Sequence, residues 1–211
     1  MKKFLAVLSV LALGLAASSC SPLGFAAGAG ATVGVAAAQE GGLKGATADT
    51  AIRLQVTEAW LKHSLELYRR ASMTVKEGRV LVTGTVSTPD MRVDAIRLVW
   101  HADGVKQVIN ELRVDGEEKF GNYITDSWIT GNIKARILLD KYVQSINYSI
   151  ETVNGTVYLM GIAQDQKELG RVVDYARNTK SVANVVSYVR LRGEVPAGVL
   201  DVDTEAVTDI N

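Results

Sequence analysis

The sequence has one cysteine and two histidines among 211 residues, and its 23 basic and 23 acidic side chains cancel. One cysteine cannot pair within the chain, so an intramolecular disulfide scaffold is excluded. His63 and His101 have no second histidine or cysteine at ligand spacing, so the sequence does not support a zinc site. A pI of about 6.7 argues against a strongly basic nucleic-acid binder, and 47% hydrophobic residues argue against global disorder.

Signs of catalysis are also lacking. No serine stands in a nucleophile motif, and the paired carboxylates of Glu117 and Glu118 fall in a predicted linker, where a solvated turn is the commoner role. Gly28 and Gly30 imitate a phosphate-binding loop only weakly, because no predicted strand precedes them and no Gly-Lys-Ser follows. We therefore expect a protein that is not an enzyme and that carries no cofactor and no metal.

The N-terminus has the pattern of a secretory signal. Lys2 and Lys3 precede an uncharged apolar run over 4–17, which is shorter than the roughly 20 residues of a membrane span and typical of a signal-peptide core. The chain's single cysteine follows at Cys20, and the segment resembles a bacterial lipobox, although Ala17 stands where leucine is commonest. We predict a signal peptide over 1–19 and lipidation of Cys20. The alternative is an ordinary signal peptide in which Cys20 is incidental.

Two further segments are predicted to lie outside the folded domains. Residues 20–45 are rich in glycine and alanine and are predicted to be a flexible tether, with a second membrane-associating segment as the alternative. Residues 194–211 contain five acidic and no basic side chains and are predicted to be a flexible acidic tail. By contrast, residues 125–193 hold nine basic and six acidic side chains.

The remaining sequence is one unit written twice, at a constant offset of 77 residues without gaps. The offset aligns Asp49 with Asp126 and brings together glycines and valines at matching positions. These matches are Gly78 with Gly155, Val80 with Val157, Gly84 with Gly161, Val105 with Val182, and Val108 with Val185. Glycines and valines are informative here because backbone conformation and core packing constrain them.

Each unit is predicted to contain helix, strand, strand, helix and strand. In the second unit, Asp126 is predicted to cap a helix that begins at Ser127 or Trp128 and ends near Leu139. Residues 148–153 and 156–162 are predicted strands, and Asn154-Gly155 between them is a strong hairpin signal. Residues 167–178 are a predicted helix, and residues 184–191 a predicted strand. The buried stripes of the two helices are predicted at Ile129, Ile133 and Ile137, and at Leu169, Val172, Val173 and Ala176.

These motifs resemble the BON domain, in the run Asn154-Gly155-Thr156-Val157-Tyr158-Leu159-Met160-Gly161 and in the ending Gly104-Val105-Lys106-Gln107-Val108-Ile109-Asn110. In the second unit, Ser181 and Ser187 replace Gly104 and Asn110. With the lipobox, the chain is similar to dual-BON outer-membrane lipoproteins. The resemblance implies an α+β fold of two tandem αββαβ domains at 46–116 and 125–193, each a three-stranded mixed sheet packed on two helices. A linker at 117–124 joins them, and because units of this size are marginal alone, we expect the two to dock.

The first helix of the second unit has a second apolar face. On a helical wheel, Trp128, Ala135 and Leu139 fall within about 40° of one another, away from the isoleucine stripe and bordered by Leu138. The equivalents in the first unit are Ala51, Glu58 and Lys62, which predict a solvated face. Such a second face either packs against the first unit or the linker, or contacts a partner. The family resemblance implies that the partner is anionic phospholipid. The predicted lipid-binding residues are Trp128, Lys134, Ala135, Arg136, Leu138 and Leu139.

The expected protein is a lipid-anchored component of the bacterial outer membrane that faces the periplasm and maintains membrane integrity. Ser21, which follows the proposed lipidation site, favours the outer membrane by the same resemblance. Contact with the outer-membrane protein assembly machinery is a further implication. Two alternatives remain open: a soluble periplasmic osmotic-stress protein with a chaperone-like role, and an adaptor that binds only proteins.

Overall fold

The computed structural model describes residues 42–115 and 123–194, which form two domains. Domain 1 comprises α1 (Gly42–His63), α2 (Leu65–Arg70), β1 (Ala71–Lys76), β2 (Arg79–Val86), α3 (Pro89–Trp100) and β3 (Gln107–Val114). Domain 2 comprises α4 (Tyr123–Leu139), a 3₁₀ turn (Ser145–Asn147), β4 (Tyr148–Val153), β5 (Thr156–Ala163), α5 (Gln166–Arg177) and β6 (Asn184–Leu191). The predicted signal peptide, Cys20, and most of the tether, linker and acidic tail lie outside the described residues.

The predicted order of elements is confirmed in both domains, with a short helix and a 3₁₀ turn added; α5 and β5 differ from their predicted bounds by one residue, and two helices begin earlier than predicted. The short helix α2 was not predicted; Ser64 caps it by accepting a hydrogen bond from the backbone N–H of Leu67. Helix α1 begins at Gly42, so residues 42–45 of the predicted tether are helical. Helix α4 begins at Tyr123, so the prediction that Asp126 is its N-cap is wrong.

Each sheet has three strands in the order of the chain, the first pair antiparallel and the second parallel. The register repeats with the sequence: Val80 pairs with Val108 in domain 1, and Val157 pairs with Val185 in domain 2. The mixed three-stranded sheet and the 77-residue repeat are therefore properties of the fold.

The two helices of each domain cover one face of its sheet. In domain 2 the three isoleucines of α4 are buried against β5 and α5, as predicted, and Leu169 and Val173 of α5 pack at the margin of this core. Domain 1 buries Trp60 at the position equivalent to Ile137, and the Trp60 indole N–H donates to the carbonyl of Ala95 at 3.1 Å. A buried indole without such a partner would lose the hydrogen bond that water provides.

A carboxylate of the first helix holds each hairpin turn. Asp126 accepts the backbone N–H groups of Asn154 and Gly155 at 2.7 and 2.9 Å. In domain 1, Asp49 accepts those of the equivalent turn, both at 2.9 Å. Both residues of each turn have positive φ, which confirms the predicted Asn-Gly turn. Asp126 thus ties α4 to the β4–β5 hairpin.

The domains dock through the sheet faces that their helices leave uncovered. Leu81 of β2 and Tyr158 and Met160 of β5 form a third buried cluster between the sheets. Thr74 of β1 donates to Glu151 of β4 at 3.1 Å. Docking of the two units is therefore confirmed, and the stacking order is helices, sheet, sheet, helices.

Candidate functional site

Helix α4 presents three different faces. Ile129, Ile133 and Ile137 are buried in the core of domain 2. A second face, about 80° or more away on the wheel, is apolar and exposed. A third, between Gly131 and Asp126, is polar and borders a groove between the domains. A helix that is apolar on two sides has more hydrophobic surface than its own domain uses.

The exposed apolar face carries large side chains. The exposed fractions are 51% for Trp128, 71% for Leu138 and 86% for Leu139, and Ala135 between them is also exposed. None of these side chains belongs to the buried clusters of the described residues. The alternative in which Trp128 and Leu139 are buried against domain 1 is therefore not what the structure shows.

The two predicted basic residues of this site lie in different surroundings. Lys134 is exposed on the groove side of α4. Arg136 is half-buried: its guanidinium lies 5.0 Å from the ring centroid of Tyr175, and one N–H group reaches the Tyr175 carbonyl at 3.4 Å. Arg136 therefore packs α4 against α5, and its predicted role with lipid gains no support from these contacts.

Two further exposed side chains were not predicted. Ile124 is 81% exposed and lies on the wheel beside Trp128. The predicted helix begins at Ser127 or Trp128 and so does not include it. Tyr142, three residues after α4, is 60% exposed and lies beneath two cations, with Lys141 Nζ 4.9 Å and the Arg171 guanidinium 4.7 Å from its ring centroid. We define the apolar patch as Ile124, Trp128, Ala135, Leu138, Leu139 and Tyr142.

Asp140 fixes the turn at the end of this patch. It accepts the backbone N–H of Tyr142 at 2.9 Å and the hydroxyl of Tyr175 at 2.9 Å. The hydrogen bond from the Tyr142 backbone lowers the pKa of the Asp140 carboxyl, and the Tyr175 hydroxyl and Arg171 act in the same direction. Asp140 also pairs with Arg171 at 3.4 Å, so this carboxylate positions both the backbone of Tyr142 and one of its two cations.

Domain 1 is less polar at the equivalent surface than predicted. Glu58 and Lys62 form an exposed ion pair at 2.6 Å, which fits the expected solvated face. Leu61, the equivalent of Leu138, is nevertheless 50% exposed, and Leu54 on the same helix, the equivalent of Gly131, is 66% exposed. Domain 1 thus has exposed leucines but no exposed tryptophan on its first helix, so the two helices differ less than the sequence suggested.

Within residues 42–115 and 123–194, no three His, Cys, Asp or Glu side chains cluster in a way that could hold a metal ion. In the same part of the chain, no helix has the length and apolar character needed to cross a membrane.

Comparisons with known proteins agree with the repeat. The family model of the BON domain matches residues 48–116 and again residues 125–193. A protein of Anaplasma centrale described as an uncharacterized protein in the gshII 5′ region is 44% identical over 145 residues, which cover 68% of this chain and 95% of that protein.

Two relatives with informative names are more distant. The outer membrane lipoprotein DolP of Haemophilus influenzae is 30% identical over 56% of this chain and 60% of its own length. The osmotically-inducible protein Y of Escherichia coli is 29% identical over 65% of this chain and 69% of its own. Among solved structures, CdsD of the Chlamydia trachomatis type III secretion system is 15% identical over 64% of this chain and 62% of that one, with a TM-score of 0.28.

Proposed function

Because the chain belongs to the BON domain family, we propose that it is a non-catalytic lipoprotein of the bacterial outer membrane that binds anionic phospholipid through domain 2. The protein faces the periplasm and contributes to the integrity of the membrane. The similarity to an outer membrane lipoprotein supports this location, and acylation at Cys20 would supply the anchor. Contact with the outer-membrane protein assembly machinery is a further part of the proposal.

The observation that carries the proposal is the apolar patch on α4. Trp128 and Leu139 are 11 positions apart, so their Cα atoms are separated by about 16 Å along the helix axis. A row of this length, exposed along one side of a helix, can lie in the plane of a membrane interface. The indole suits that position because its ring is apolar while its N–H can still reach water or a headgroup.

Basic side chains at the margin of the patch favour a negatively charged surface. Lys134 has no ion-pair partner among the described residues, and Lys141 and Arg171 lie over the Tyr142 ring. Each cation close to an anionic bilayer contributes about 1 kcal/mol. Domain 2 therefore combines an apolar surface that can insert into the membrane interface with positive charge that attracts anionic headgroups.

Vesicle flotation tests the proposal with residues 21–211, so that no acyl chain contributes to binding. We expect the protein to float with phosphatidylglycerol vesicles and to remain in the soluble fraction with phosphatidylcholine vesicles. The variant Trp128→Glu should weaken binding at least about tenfold, equal to about 1.4 kcal/mol. Leu139→Glu should act in the same direction.

Leu54→Glu is the matched control, because Leu54 is an exposed leucine on the equivalent helix of domain 1. We expect it to leave flotation unchanged. If Trp128→Glu folds and floats like the parent protein, the patch is not the lipid site. If Leu54→Glu alone abolishes flotation, the assignment to domain 2 is wrong.

A second candidate is a soluble periplasmic osmotic-stress protein with a chaperone-like role, which the similarity to an osmotically-inducible protein favours. Metabolic labelling with a palmitate analogue separates the two. A label that disappears in Cys20→Ala supports the lipoprotein, and an unlabelled protein supports the soluble alternative. An adaptor that binds only proteins would not float with phosphatidylglycerol vesicles, and Trp128→Glu would leave its distribution in the flotation experiment unchanged.

A further inference from the structure

A groove with a volume of about 1040 Å³ runs between the two domains. One wall is β4: all six of its residues, and Asn154 directly after it, border the groove. Successive side chains of a strand point to opposite faces of its sheet. A cavity that touches seven consecutive residues therefore follows the edge of the strand, where the backbone N–H and C=O groups lie.

That edge lacks a partner strand. Among the described residues, β4 pairs with β5 on one side and with no strand on the other. Ser72, Met73 and Thr74 of β1, also an edge strand, line the opposite side of the groove. An uncovered edge offers a row of donors and acceptors to an added strand, and extended peptides are recognised in this way.

Helix α4 forms the third wall, with Gly131 at its middle. A Cβ added at Gly131 would meet no atom within 4 Å, so packing within the chain does not require glycine there. Glycine inside a helix costs stability relative to alanine, and the equivalent residue in domain 1 is Leu54. The missing side chain leaves space beside the edge of β4.

The charge of the groove favours an acidic occupant. Arg53, Arg113 and Lys134 line it and are exposed, and among the described residues none of them forms an ion pair. Of the carboxylates in the groove, Asp126 is held by the hairpin turn and Glu151 by Thr74, and Asp115 also has a partner. Arg113 donates to the Thr156 hydroxyl at 3.0 Å, but the side chains of Arg53 and Lys134 bond to no other described residue. These two cations therefore retain more free hydrogen-bonding capacity than the anions.

We propose that this groove binds an extended acidic segment of a partner protein, which adds to the sheet of domain 2 as a strand along the free edge of β4. Backbone hydrogen bonds to β4 supply the pairing. Arg53, Arg113 and Lys134 select for acidic side chains. The groove and the apolar patch meet at Lys134, but Gly131 lines the groove while Trp128 and Leu139 belong to the patch alone, so variants at these residues test the two surfaces separately.

The test titrates residues 21–211, labelled with ¹⁵N, with a capped peptide in which glutamate alternates with threonine. A peptide of about eight residues is long enough to pair with β4, which has six. We expect amide shifts along Tyr148–Val153 and at Gly131. Methylating alternate backbone nitrogens of the peptide, or replacing its glutamates with lysine, should each weaken binding about tenfold.

Two variants of the protein complete the test. Gly131→Leu, which introduces the residue of domain 1, should fold and weaken peptide binding about tenfold, whereas Gly131→Ala should bind within about twofold of the parent. An absence of shifts along β4 overturns the proposal. An affinity for the peptide that is unchanged both by N-methylation of the peptide and by Gly131→Leu also overturns it. Shifts along β4 with phosphatidylglycerol vesicles but not with the peptide would identify lipid as the occupant and equally overturn it.

Discussion

Tyr188 of β6 donates a hydrogen bond to Glu111 of β3, the residue at the same position of the other repeat. Two other equivalent pairs meet in the same way: Thr74 bonds to Glu151, and Leu81 lies with Tyr158 in the cluster between the sheets. Each residue of these pairs meets its own counterpart, 77 positions away.

Contact between equivalent residues is the mark of a two-fold interface, in which the same patch of surface serves both partners. The three pairs join β1 to β4, β2 to β5, and β3 to β6. The local axis therefore runs between the sheets and across the strands. The domains dock as two subunits of a homodimer would, although one chain supplies both.

The interface makes the stability of the protein sensitive to alkaline pH. Burial and the hydrogen bond to Glu111 raise the pKa of Tyr188 from 10.0 to about 12. The folded state thus holds this proton more tightly than the unfolded state. Its contribution is complete below pH about 10 and is lost as the pH rises towards about 12.

Urea unfolding at a series of pH values between about 8 and 12 measures this effect. The Tyr188→Phe variant should lose less free energy of unfolding between pH 10 and 12 than the parent protein. Burial also raises the pKa of Tyr148 and of Tyr158, and the hydrogen bond to Asp140 raises that of Tyr175, so an alkaline loss should remain in the variant. Equal losses in both proteins would contradict the role of Tyr188.

A double-mutant cycle tests the contact between the sheets. Leu81 and Tyr158 are both almost fully buried. Leu81→Ala alone should lower the free energy of unfolding by about 2–5 kcal/mol, because it leaves a cavity. Combined with Tyr158→Ala, the two effects should differ from additivity by about 0.5–3 kcal/mol. Additive effects would mean that the two sheets do not pack against each other in solution.

Much of this fold could be predicted from sequence because its determinants are local. Asn154-Gly155 specifies a turn through the backbone conformations of two residues, and both have the positive φ that such a turn needs. The isoleucines of α4 recur at helical spacing and are buried together. In a repeat, the same local pattern occurs in both units, so a prediction made for one unit can be compared with the equivalent residues of the other.

Features that depend on distant partners were harder to predict. Asp126 has the residue type of an N-cap, but its carboxylate binds a turn 28 and 29 residues further on. Taking Asp126 as the N-cap places the start of α4 too late, so Ile124 falls in the predicted linker and not on the helix. The docking face had a sequence signal, the unbroken apolar run from Val157 to Met160, which is typical of a strand buried on both faces.

The carboxylate of Asp126 should be needed for the stability of domain 2. Its two charge-assisted hydrogen bonds satisfy the backbone N–H groups of Asn154 and Gly155 in the turn. Asp126→Ala should lower the free energy of unfolding by about 1.5–3 kcal/mol. Asp174→Ala on the exposed side of α5 is the control, expected within about 0.5 kcal/mol of the parent. In ¹⁵N spectra, Asp126→Ala should shift the amides of Asn154 and Gly155, and unmoved amides would contradict the assignment.

Gly161 should tolerate no side chain, because β5 passes close to the backbone before β4. A Cβ at Gly161 would lie 2.0 Å from the carbonyl oxygen of Asn147, and the residue has a φ of 144°. The backbone conformation alone should cost Gly161→Ala about 1–3 kcal/mol, and the clash adds to this. Gly170→Ala is the matched control, since its Cβ would meet nothing within 4 Å in helix α5 and should stabilise the helix by about 0.5–1 kcal/mol. Thermal unfolding of the two variants should therefore move in opposite directions from the parent, and a Gly161→Ala protein as stable as the parent would show that the two segments do not approach so closely.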